Sequence, residues 1–110
     1  MSDSEIDRFI TVATEKALEV SGSYFKDLVA FHLKNKCGTG LETVALEPEK
    51  FHEAISDLVG EYSTKILENL ILQILLTGII PPTSDGQYFV QTIRRIKKGE
   101  LKIAQPIASA

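Results

Sequence analysis

The chain has 110 residues, a formal net charge of −3, 44% hydrophobic residues and 25% charged residues. That length supports one hydrophobic core and a single domain, and the composition excludes a disordered or fibrous chain. One cysteine leaves no internal disulfide framework and matches a reducing compartment, so a cytoplasmic location is expected.

The N-terminus, MSDSEIDRFI, is acidic and has neither a basic start nor a long apolar run, so no secretory signal is expected. From there Ile6, Phe9, Ile10, Ala13, Ala17 and Val20 recur at spacings of three and four, the period of one helix face. Ser2 and Glu5 have the spacing of a capping box, so the first helix is predicted from about Asp3 to Val20. SGS breaks it, and Ser23 is a suitable N-cap for a second helix with Tyr24, Leu28, Phe31 and His32 on one side. Gly38 is its predicted stop, in the left-handed position where a side chain would clash.

TGLETVALE follows as a connector, with room for a short turn of helix, in which Leu41, Val44 and Leu46 are expected to tuck against the core. Pro48 fits the first turn of a third helix, because its missing N–H has no intrahelical partner there. In that helix Phe51, Ala54, Ile55, Leu58 and Val59 form an apolar arc, and Glu49, Glu53 and Asp57 line the opposite side. Gly60 breaks the chain, and a fourth helix is predicted from Glu61 to Thr77, with Gly78 as its stop.

The fourth helix contains LENLILQILLTGII, the most apolar stretch of the chain. A membrane span needs about 20 apolar residues, and Glu68, Asn69, Gln73 and Gly78 interrupt this one, so burial in protein is expected. Glu68, Asn69 and Gln73 supply a polar side to its first turns. The arc of Ile71, Leu72 and Leu75 has none, and either other helices of the same chain or a second chain must cover it.

The linker IIPPTSDG is rich in turn formers, and Ser84 with Gln87 gives a second capping-box spacing. A fifth helix is predicted over Asp85 to Lys98, with Phe89, Ile93 and Ile96 on one face and Gly99 at its end. A strand through QYFVQTI competes, since Tyr88, Phe89, Val90, Thr92 and Ile93 favour strands; the cap and the helical period favour helix. The expected fold is all-α, a compact bundle of about five helices over residues 1–99, with a short irregular connector after the second helix and a flexible tail over residues 100–110.

Charge is unevenly distributed. Residues 1–68 hold thirteen acidic and seven basic side chains, whereas residues 85–102 hold two acidic and five basic. The two regions are expected to attract each other, within one chain or between two.

Few side chains have the pattern of a chemical site, and no catalytic residue, metal ligand or cofactor-binding group is assigned. Glu49 and His52 spell E-x-x-H, a spacing that di-iron bundles use twice; here it occurs once and on the solvent side, which favours a solvated rim pair. His32 lies inside an apolar face, as a hydrogen-bonded core histidine would. Cys37, at a helix C-terminus, lacks the helix N-terminus that would depress its pKa. The glycines of CGTGLET lack the lysine and the strand-to-helix setting of a phosphate loop. The acidic row Glu49, Glu53 and Asp57 reads as a solvated face, with a docking surface for a basic partner as its functional variant. Arg94, Arg95, Lys97 and Lys98 form the one basic cluster, suited to complementing a helix C-terminus, to intrachain pairing, to a protein or dimer contact or to phosphate contact.

The passage GLETVALEPEKFHEAISDLVGEYSTKILENLIL resembles a class of small archaeal helical domains described as output domains of signalling proteins. The likeness rests on Gly40-Leu41, Pro48-Glu49 with Phe51, and Gly60 before the apolar helix, and it spans roughly Phe25 to Leu76. These are a turn, a helix start, a packing anchor and a break. The resemblance implies a compact helical module with a regulatory or interaction role and carries over no catalytic residue. The expected function is therefore a non-enzymatic protein-interaction or signalling output module. It is expected to pair with a protein partner or form a homodimer through Ile71, Leu72 and Leu75. The alternative is a nucleic-acid-binding domain that uses Arg94 to Lys98; an enzyme would need a pocket with perturbed titratable groups around His32 or His52.

Overall fold

Three short breaks between apolar-periodic segments set the architecture. The computed structural model describes residues 3–76 and 86–100, which form six helices. They are α1 (Asp3–Val20), α2 (Ser23–Cys37), α3 (Thr43–Leu46), α4 (Pro48–Val59), α5 (Glu61–Leu75) and α6 (Gly86–Lys97). The all-α expectation holds. The sixth helix is α3, the short turn in the connector, and the segment of uncertain type is the helix α6.

α1 has the predicted bounds. α2 ends at Gly38, which takes φ 80° and donates its N–H to the Lys34 carbonyl; a side chain there would be strained. Gly60 alone separates α4 from α5, at φ 88° and ψ 164°, a backbone region that is essentially glycine's. α4 begins at Pro48 as expected. Ser23 is not the cap of α2: it is the first helical residue, and Gly22 precedes it at φ 113° without a side-chain cap bond. The capping residues Ser2 and Ser84, the stop Gly78 and the tail 101–110 lie outside the described residues.

The core draws on every helix. Ile10 and Leu18 of α1, Val29 and Leu33 of α2, Val44 of α3, Phe51 and Ile55 of α4, Ile71 and Leu72 of α5, and Phe89 and Ile93 of α6 are fully buried. Phe51 and Phe89 meet with ring centroids 6.1 Å apart, tilted by 33°, and join α4 to α6. α5 packs against α1, α4 and α6, whereas α2 packs mainly against α1 and α4. The buried hydroxyls of Thr14, Thr64 and Thr92 each donate to the carbonyl four residues earlier, which satisfies them inside the core.

Several positions differ from expectation, among them Val20, which is 74% exposed at the end of α1. Leu46 is 51% exposed, because α3 is a single turn that turns Val44 and Ala45 inward and leaves Leu46 at its outer end. Glu68, expected on the polar side of its helix, is buried. It follows Thr64 by one turn and precedes Ile71 and Leu75 on the same face of α5, so helical geometry carries it into the interior.

Ion pairs tie the helices across the surface. Lys26 of α2 meets Glu15 and Glu19 of α1, and Lys36 of α2 meets Asp57 of α4 at 3.0 Å. Lys97 of α6 pairs with Asp7 of α1 at 3.2 Å and donates to the Ala45 carbonyl at 2.8 Å. Arg94 of α6 pairs with Glu49 of α4. The acidic front and basic rear of the chain therefore attract each other within one molecule.

Candidate protein-docking surface

The apolar arc of α5 is not a surface. Ile71, Leu72 and Leu75 have at most 1% of their area exposed, covered by helices of the same chain. The expected interface residues are core residues, because α5 runs through the middle of the bundle and has neighbours on three sides.

Exposed apolar side chains lie elsewhere. Tyr24 is 80% exposed, Phe31 66% and Leu28 37%, all on α2. The helix carries two apolar stripes. Val29 and Leu33, one turn apart, face the core with Phe25 at their edge; Tyr24, Leu28 and Phe31 lie on the opposite face, Tyr24 and Phe31 largely exposed and Leu28 partly so. His32 lies between the two stripes, half-buried. Its Nε2 is buried without a hydrogen-bond partner, so the expected hydrogen-bonded histidine is not found at that atom.

At its Phe25 edge the stripe adjoins a shallow groove of about 360 Å³ between α1, α2 and α5. Ala17, Phe25, Val59, Leu67 and Leu70 line it, with Ile66 of α5 standing half-exposed at its side. One turn before Ile66, Tyr62 is also exposed.

The charged residues are engaged differently from the sequence expectation. Glu49 and His52 are not a pair: Glu49 reaches Arg94 of α6, and His52 turns toward α5. The Nδ1–H of His52 donates to Glu68 Oε2 at 2.7 Å, and its Nε2 lies 3.5 Å from Glu61 Oε1. This half-buried contact joins α4 to α5 and gives the interior carboxylate of Glu68 a partner. Sequence reasoning missed it, although a glutamate in register with Thr64, Ile71 and Leu75 was the available signal.

Of the acidic row, Glu49 and Asp57 pair with Arg94 and Lys36, and Glu53 is exposed. Of the basic cluster, Arg94 pairs with Glu49, Arg95 with Glu100 and Lys97 with Asp7, while Lys98 stands exposed. A cleft of about 630 Å³ between α3, α4 and α6 mixes Lys50, Lys97 and Lys98 with Glu47 and Glu53 and offers no field of one sign. Beside His52, a smaller hollow of about 320 Å³ is lined by Glu49, Glu53, Gln91 and Arg94. Burial pushes the Cys37 thiol up from its ordinary pKa, with the Lys50 charge acting in the opposite sense. Among the described residues no helix is long and apolar enough to cross a membrane, and no cluster of three or more His, Cys, Asp or Glu side chains is arranged to hold a metal ion.

Among the described residues, six helices around one core, with an apolar stripe on the outside and charges engaged mostly within the chain, define an all-α domain. The chain belongs to the family described as Nitrosopumilus output domain 5, whose model matches residues 4–98. The match includes α1 and the basic helix α6 as well as the central passage that carried the resemblance. The chain is also similar to the crystal structure of PH0832 from Pyrococcus horikoshii OT3, with 28% sequence identity and a TM-score of 0.68 over 86% of this chain and 98% of that one. No curated protein matches it.

Proposed function

We propose that the chain is a non-enzymatic signalling output module that acts by binding another protein surface through the Tyr24, Leu28 and Phe31 face of α2. The carrying observation is that these three large side chains lie in one exposed row on a helix whose opposite face is in the core. An aromatic-rich apolar row is a costly surface to leave in water and a common anchor of protein interfaces. Membership in an output-domain family supports the regulatory role, because an output module relays a signal through what it contacts. The nucleic-acid reading has less support, since Arg94, Arg95 and Lys97 already have carboxylate partners whose displacement would oppose phosphate binding.

A photo-crosslinking side chain at position 28, compared with one at position 98, tests the reading in source cells. A polypeptide adduct at position 28 and none at position 98, identified by mass spectrometry, is the expected result. Absence of an adduct at position 28 overturns it.

A further inference from the structure

We infer that the occupant of the α2 face is a second copy of this chain, with the two α2 helices packed antiparallel about a two-fold axis between Leu28 and Phe31. The inference rests on the reading of that face as a docking surface and names what docks there.

The exposed row continues from Tyr24, Leu28 and Phe31 to Asn35, at spacings of four, three and four residues. That alternation is the seam of a two-helix contact, in which side chains of one helix fill the gaps of another. An antiparallel pair sets Leu28 against Phe31 of the second copy and Tyr24 against Asn35. The apolar residues meet at the centre, and the phenol and amide meet at each end.

Charge selects this orientation. Asp27 and Lys34 lie on the same flank of the seam, one heptad apart, and both are exposed. Among the described residues neither side chain takes part in an ion pair, although Lys26 and Lys36 of the same helix both do. In an antiparallel pair a flank faces its own copy, so Asp27 meets Lys34 of the second chain and Lys34 meets Asp27. A parallel pair sets each of these charges against the other flank, which offers Phe25 and His32 in their place.

A contact made by one 15-residue helix, even extended by the groove at Phe25 and Ile66, falls in the small, reversible class of interfaces, below about 1,200 Å² in total. The dimer is thus reversible and concentration-dependent.

Sedimentation equilibrium of the full chain from about 10 μM to about 1 mM, at low salt, tests this. The expected mass rises from 12.2 kDa toward twice that value. Phe31→Glu weakens association roughly tenfold or more while helical circular dichroism is unchanged. Asp27→Lys and Lys34→Asp each weaken it several-fold, by opposing like charges, and the double exchange restores it. A 12.2 kDa species throughout overturns self-association, and failure of the double exchange to restore binding overturns the antiparallel pairing. Neither result touches the docking reading, which fails separately if position 28 gives no crosslink. A crosslink there to a different protein alone overturns the dimer and keeps the docking face.

Discussion

α5 and α2 show why apolar content by itself does not locate an interface. α5 is the greasier helix, yet Ile71, Leu72 and Leu75 are enclosed by α1, α4 and α6. α2 is more polar, yet Tyr24, Leu28 and Phe31 are left outside, because its principal neighbours, α1 and α4, occupy only one face. What separates them is the number of neighbouring helices. A helix with neighbours on three sides has its apolar arc covered, though Tyr62 and Ile66 on its remaining side stay exposed, and a peripheral helix with two apolar stripes has one stripe left over.

The largest test of that contrast is Leu72→Ala, expected to lower unfolding free energy by roughly 2–5 kcal/mol in urea titration, because the cavity opens in the middle of the core. A loss near zero would mean that α5 is not enclosed as described. His52→Ala is expected to cost about 1–3 kcal/mol by the same measurement, since it removes a hydrogen bond to the interior carboxyl of Glu68. Replacing both residues with leucine is expected to recover most of that loss, because the buried polar group goes with its partner.

Arg94→Ala breaks an ion pair whose side chains are both more than half exposed, and it is expected to cost about 0.5 kcal/mol or less. Phe31→Ser sharpens the comparison from the other side: its expected effect on the stability of the isolated chain is within about 0.5 kcal/mol, although the residue is as large as any in the core. A loss of several kcal/mol would place Phe31 in the core and end its role as surface. Cys37 gives a check by pH. Its raised pKa keeps the thiol protonated at pH values where an ordinary cysteine is ionising. Alkylation in the folded chain is therefore expected to be slower than in the urea-unfolded chain at the same pH, and its rate to rise at higher pH.

Helix existence and most helix ends were legible before the structure, for local reasons. α1 followed from a single apolar period, α4 from Pro48, and the ends of α2 and α6 from Gly38 and Gly99. The pairing of acidic front with basic rear was legible in outline, but which arginine meets which carboxylate was not. The spacing E-x-x-H pointed to Glu49 and His52 as neighbours, yet Arg94 and Glu68 on other helices drew them apart. Two stripes of similar spacing ran along α2, and nothing local ranked Val29 and Leu33 above Tyr24, Leu28 and Phe31.

Backbone hydrogen bonding, capping and side-chain period act over a few residues, so the sequence by itself determined an all-α chain, its main breaks and the inward faces of α1, α4 and α6. Burial depends on what other helices leave uncovered. Only the tertiary structure decided that the arc of α5 is core, that Glu68 is interior and held by His52, and that the unmatched apolar face belongs to α2.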